Sequence, residues 1–268
     1  MQMEELVRRI DAAFAKTKAG DFSTALREFE FLESQVEHPG DVAPLRLAQA
    51  SCLFDMGKAA EALGRIRTVD QEQLAFPNLI VLEFEYARIM RELGERIEAL
   101  ERTRKALKAI SIANDKSSTE VIAGNLRALC GVLLADLGRC DEAIPMLEQV
   151  SVEDESWADA KIQLGDCKYK KKQYRDAIRD YQDVVSSKTR NGSILLPSAL
   201  RNIGFAFYDL EEYASAVEYL TKVEDQYDAY PDMKEQLFSI LASAYIHLGK
   251  IDEAKKYRHP SNSSQLLQ

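Results

Sequence analysis

The sequence predicts an all-α solenoid of about seven helix-turn-helix repeats. An alanine recurs along nearly the whole chain, at Ala25, Ala62, Ala99, Ala143, Ala177, Ala216 and Ala254. Twelve residues before each alanine stands a small residue, at Ala13, Ala50, Ala87, Gly131, Gly165, Gly204 and Ala242. Five residues before the alanine, five of the seven places hold glycine: Gly20, Gly57, Gly94, Gly138 and Gly249. Self-similarity at such a period marks stacked supersecondary units, each too small to bury its own apolar face.

Each part of the unit has a physical reason. Small residues at two fixed places let antiparallel helices approach closely at their crossing. Glycine between them takes the left-handed conformation that ends a helix. An acid near the start of the second helix (Asp21, Glu61, Glu98, Asp141, Asp176, Asp252) suits the helix dipole. An aliphatic residue follows the alanine in six units (Leu26, Leu63, Leu100, Ile144, Ile178, Val217); Lys255 breaks the pattern in the seventh. The alanines are separated by 37, 37, 44, 34, 39 and 38 residues. The long third step predicts a second helix extended to about Ala113, a polar loop at "NDKSS", and Ser118 or Thr119 capping the next helix ahead of Glu120.

Composition bounds the function. The chain has 268 residues, 46% of them hydrophobic and 29% charged, which suits a folded, soluble chain with a sizeable core. A net charge of -9 argues against a general nucleic-acid binder, since phosphate neutralisation needs clustered Lys and Arg. The densest basic run, Lys168, Lys170, Lys171, Lys172 and Arg175, falls at a predicted turn and reads as a solvated surface. Cys52, Cys130, Cys140 and Cys167 form no CxxC pair and read as small buried thiols in a reducing compartment. The start "MQMEELVRRIDAAF" lacks the order of a signal peptide, and no apolar run reaches membrane-helix length. A cytoplasmic location without membrane insertion is expected. His38, His247 and His259 are isolated; there is no HExxH, GxSxG, Walker or GxGxxG motif. No catalytic residue, metal or cofactor is expected.

The stretch "QLGDCKYKKKQYRDAIRDYQ" closely resembles the tetratricopeptide repeat family, with Leu164, Gly165, Tyr174, Ala177 and Tyr181 on family positions. "NIGFAFYDLEEYASAVEYL" does so again through Ile203, Gly204, Phe207, Tyr213 and Ala216. The family's early tryptophan is missing throughout, and its closing proline is displaced to Pro39, Pro77 and Pro231 or absent. The resemblance covers Glu4 to Arg258 and implies a right-handed superhelix, with residues 1–258 as the solenoid and 259–268 as a tail.

In this family the first helices line a concave groove that binds peptides or protein surfaces. On one helical stripe, fourteen, eleven and eight residues before each alanine, stand Glu85, Arg88 and Arg91, then Leu129, Val132 and Ala135. Gln163, Asp166 and Tyr169 follow, then Asn202, Phe205 and Tyr208. Arg88, Arg91, Tyr169, Arg201, Asn202, Phe205 and Tyr208 are therefore the candidate peptide-binding residues, since Arg and Tyr dominate interface energetics. The family's lysine–asparagine clamp for terminal carboxylates has Ile10, Phe14, Ala48, Val81 and Glu85 at the corresponding places and looks absent. The resemblance implies a non-catalytic scaffold with a protein or peptide partner. The alternative is a regulatory sensor or chaperone whose groove holds its own chain or a second copy until displaced. At the C-terminal end a shortened last helix, about Asp252–Arg258, would leave Phe238, Leu241 and Tyr245 partly covered. A homodimer through that end, or the tail's Leu266 and Leu267, would cover them.

Overall fold

A computed structural model of the chain describes residues 3–113, 120–154, 156–188, 190–227 and 231–257. The described residues form α-helices, short 3-10 turns and no strand. The chain groups into two compact blocks, residues 1–137 and 138–268.

In the N-terminal block, α1 (Met3–Lys18) pairs with α2 (Phe22–Gln35), α3 (Pro39–Asp55) with α4 (Ala59–Ile66), and α5 (Phe76–Glu92) with α6 (Arg96–Ile112). Helix α7 (Glu120–Asp136) packs on α6 and α5. The C-terminal block opens with α8 (Cys140–Leu147), which packs on α9 (Trp157–Lys170). Helix α9 pairs with α10 (Tyr174–Ser186), α11 (Arg190–Asp209) with α12 (Tyr213–Thr221), and α13 (Pro231–His247) with α14 (Ile251–Lys255). Each second helix also meets the first helix of the next pair, and first helices touch across α3/α5, α5/α7, α9/α11 and α11/α13. Pro39, Pro77 and Pro231, which stand in for a closing proline, each occupy the first or second position of the following first helix, where a missing N–H costs nothing.

The turn inside the pair follows the register read from the sequence. Gly20, Gly57, Gly94, Gly138 and Gly249 have φ between 73° and 89°. Where the pattern lacks glycine, Lys172 (φ 61°) and Glu211 (φ 62°) adopt the same left-handed conformation. The hydrogen bonds are those of a Schellman ending: Lys172 N–H donates to the Tyr169 carbonyl (2.8 Å) and Gln173 N–H to the Lys168 carbonyl (2.9 Å). The geometry of the crossing dictates this turn, and the two non-glycine residues bear its strain.

All seven anchor alanines are fully buried. Their small partners are buried too, apart from the half-buried Ala242. The close approach, however, is not small residue against small residue. A Cβ on Gly165 would stand 2.8 Å from the Tyr181 Cδ1 and Cζ atoms, and one on Gly204 would stand 2.5 Å from Leu220 Cγ. The glycine thus receives a large side chain four residues beyond the anchor alanine, one helical turn on. Around Gly165, Tyr181 packs with Ile162, Ile178, Val184 and Ile203, and Trp157 lies against the same cluster.

Helix α6 runs to Ile112, as the long third step predicts, while "NDKSS", Ser118 and Thr119 lie outside the described residues. The last helix ends at Lys255, earlier than Arg258, and the tail 259–268 also lies outside them. The patch expected over the final pair is smaller than the sequence suggests. Leu241 is fully buried, and Tyr257 stacks on Tyr245 (5.7 Å, 11°) and meets Phe238 edge-on (5.2 Å). The Tyr257 hydroxyl donates to Glu224 at 2.8 Å, which fixes the ring over the end of the block. No helix among the described residues is long and apolar enough to cross a membrane.

Candidate functional site

The candidate residues fall into two groups, one in each block. In the N-terminal block Arg88 lies on α5 between two acids. It reaches Asp55 at 2.7 Å and Glu85 at 3.0 Å, and its guanidinium sits 4.4 Å from the ring centre of Phe54. Burial of Arg88 works against its charge, yet Glu85 and Asp55 together hold it above the ordinary arginine value. Burial raises the Glu85 carboxyl above its usual range, against the pull of Arg88. Ser51 donates to Glu85 at 3.3 Å. One turn along, Arg91 pairs with Asp136 of α7 at 2.7 Å.

In the C-terminal block a polar chain crosses from α10 through α9 to α11. The Tyr181 hydroxyl donates to Asp166 at 2.6 Å, and Asn202 Nδ2 donates to the same oxygen at 2.9 Å. Burial raises the Asp166 carboxyl, while these two donors act the other way. Burial and the facing Asp166 also raise the Tyr181 phenol. Asn202 turns its Oδ1 to Arg201, accepting from Nε at 3.2 Å and from Nη2 at 3.1 Å. Tyr169 donates to Asp209 and meets Tyr174 edge-on. Tyr208 shares a hydrogen bond with Ser243 (2.7 Å) and stands edge-on to Tyr213, itself stacked on His247 at 4.2 Å. Phe205 is half-buried and packs on the cluster of Leu220, Leu237 and Leu241.

A common device explains most of these contacts, and the sequence reading missed it. Asp55, Asp136 and Asp209 all stand seven residues before an anchor alanine, and each binds a first-helix residue of an adjacent repeat. They tie Arg88, Arg91 and Tyr169 into the stack. The signal was present as an aspartate recurring at one register position, immediately beside the stripe. Leu129, Val132 and Ala135 are buried, so that part of the stripe is core. Three members of the basic run meet acids: Lys168 lies 2.7 Å from Asp180, Lys171 pairs with Asp141 and Arg175 with Glu212. Arg201 alone of the three candidate arginines forms no ion pair with a described carboxylate.

The thiols offer little nucleophilic character. All four cysteines are buried and free, and burial pushes Cys52 and Cys167 up to about 12, the latter with Cys140 beside it. No group of three or more metal-ligating side chains is gathered among the described residues.

Helix hairpins on one register, left-handed turns and stacked first helices make up a fold of the tetratricopeptide repeat kind, all-α in every described element. The Tetratricopeptide repeat pattern matches residues 236–257, the final pair. No curated protein matches the chain. Among solved structures, the fold is similar to the apo form of the quorum sensor NprR from B. thuringiensis, with TM-score 0.72 and 14% identity over 95% of this chain and 74% of that one. It is also similar to a signal transduction ATPase with a tetratricopeptide repeat sensor from Pyrococcus horikoshii (TM-score 0.67, 14% identity, 95% of this chain and 42% of that one). PilF of Pseudomonas aeruginosa gives TM-score 0.62 and 14% identity over 88% and 97% of the two chains.

Proposed function

We infer that this chain is a non-catalytic interaction module whose first-helix face binds a peptide segment or a protein surface. The observation that carries this reading is the surface around Arg201 in the C-terminal block. Its guanidinium keeps N–H groups that no carboxylate among the described residues takes up, beside the half-buried Phe205 ring and Met233, which is 45% exposed. An arginine framed by apolar side chains is the composition of an interface anchor. The fold likeness to a quorum sensor and to a signal-transduction ATPase that carries a tetratricopeptide repeat sensor supports an interaction role. Arg88, Arg91 and Tyr169 then serve mainly to hold neighbouring repeats in register, with the partner meeting Arg201, Asn202, Phe205 and Tyr208. A displayed random-peptide library panned on the whole protein tests the reading. Enriched peptides should lose at least about fivefold in affinity against Phe205→Ala or Tyr208→Ala, the loss expected of a contact worth more than about 1 kcal/mol. Melting should stay near wild type. Failure to enrich any sequence, or enrichment indifferent to both substitutions, refutes it.

A further inference from the structure

We propose that Arg201 is the receptor for a single carboxylate carried by the bound peptide. The inference rests on the interaction reading above and names the chemistry of that contact. Arginine has five N–H donors in a planar fork. Here Nε and Nη2 each give one to the Asn202 Oδ1, and Nη1 gives one to the Met233 thioether at 3.6 Å, a weak acceptor. The donors left over lie on the two terminal nitrogens, the pair that a carboxylate engages side by side.

Three features prepare the group for that role. The first is orientation: Asn202 is itself fixed by donating to Asp166, which also holds the Tyr181 hydroxyl, so the guanidinium is steered from a packed core. The second is insulation. Asp166 faces Arg201 only through the Asn202 amide, so the positive charge is partly balanced without its fork being filled. The third is the frame: the ring centres of Tyr227 and Phe205 lie 5.4 and 5.9 Å from the guanidinium carbon, within cation–π reach, and give the fork an apolar border. The Tyr227 hydroxyl is buried without a hydrogen-bond partner among the described residues, a second donor in the same neighbourhood. Arg88 and Arg91, on the other candidate helix, have their acids supplied from within the chain.

The test uses three short probe peptides and the full chain. Acetyl-Gly-Phe-Glu-Phe-Gly-amide carries a side-chain carboxylate, the free acid acetyl-Gly-Phe-Gln-Phe-Gly carries only a terminal one, and acetyl-Gly-Phe-Gln-Phe-Gly-amide carries none. Binding is followed by the Nε–Hε resonance of Arg201, assigned with Arg201→Lys. At least one acidic probe should shift that resonance and bind about tenfold tighter than the neutral probe, the worth of one charge-assisted bidentate contact. Which acidic probe prevails tells a side chain from a chain terminus. Arg201→Lys keeps the charge but not the fork and should lose most of the preference. Equal binding of all three probes overturns the carboxylate receptor while leaving an interaction surface. No binding of any probe overturns the carboxylate receptor, whereas only a failed library screen overturns the broader reading.

Discussion

Placing a methyl group on Gly165 isolates the close approach on which the C-terminal block is built. The new Cβ would lie 2.8 Å from two atoms of the Tyr181 ring, whereas carbon atoms settle near about 3.5 Å. The ring must retreat by at least about 0.7 Å, the difference between those distances. It has little room, because Tyr181 is 1% exposed and sits among Ile162, Ile178, Val184 and Ile203. Overpacking of this kind costs about 1–3 kcal/mol. Retreat also stretches the 2.6 Å bond from the Tyr181 hydroxyl to Asp166, and leaving that buried pair unsatisfied would cost about 1–3 kcal/mol. Against this, replacing glycine by alanine inside a helix returns up to about 1 kcal/mol. The balance is a destabilisation of about 2 kcal/mol for Gly165→Ala.

The chain carries its own reporter for the measurement. Trp157 is the single tryptophan and packs on the Tyr181 cluster, so its fluorescence in a urea titration follows that block. In a Tyr181→Leu background the methyl group meets a smaller, more pliable side chain, and most of its cost should vanish, giving a coupling of at least about 1 kcal/mol in a double-mutant cycle. Gly204→Ala is the control. Its Cβ meets Leu220, whose branched end can rotate away more readily than a ring, so it should cost less. If Gly165→Ala unfolds within about 0.5 kcal/mol of wild type, or the cycle shows no coupling, the crossing is not held as described.

Three further outcomes are expected. Lys172→Gly and Glu211→Gly relieve left-handed residues with side chains and should each stabilise the chain by about 0.5–1 kcal/mol, read from urea midpoints; destabilisation contradicts the strain. Arg9 donates to Glu28 at 2.6 Å and holds its carboxyl below the usual range, so this contribution is complete above the unfolded value and is lost as pH falls through the folded one. Glu28→Gln should accordingly flatten the decline in melting temperature below about pH 4.3 and leave the neutral range flat, as followed by circular dichroism. Tyr257→Ala strips the ring covering Phe238 and Tyr245 and should bring concentration-dependent association in light scattering; a variant that stays monomeric at high micromolar concentration denies that this end is sticky.

The register was legible because it is a steric demand repeated along the chain. Ala177 or Gly165 alone says little, but a small residue recurring at two fixed places leaves few alternatives to a stacked hairpin. Lys172 and Glu211 show the limit of composition: without glycine they still turn, since packing on both sides fixes the path. The candidate site was less legible, for a related reason. Arginine and tyrosine on a first helix serve equally well as ligand anchors and as ties to the next repeat. What decides between them is the partner across the gap, which lies 33 residues away for Arg88 with Asp55, 45 for Arg91 with Asp136 and 40 for Tyr169 with Asp209. Tyr257 was hidden for a different reason, standing beyond the point where Lys255 breaks the pattern.

Arg201 departs from that scheme because of what faces it. Where Arg88 and Arg91 find an aspartate one register position off the stripe, Arg201 finds the Met233 sulfur and two aromatic rings. A half-exposed cation of this kind still reaches water, so leaving it without a carboxylate costs far less than burying it would. The chain as a whole carries a net charge of -9, and its field repels anions at long range. A free carboxylate in solution therefore gains little at Arg201, since its attraction to one arginine is offset by the surrounding acids and weakened by salt. A carboxylate borne on a peptide gains more, because apolar neighbours can settle against Phe205 and Met233 and hold it inside the screening distance. With Arg201 as the proposed receptor, selectivity would come from pairing a charge with the right apolar flank, and the chain's net negative charge would work against ligands that bring the charge alone.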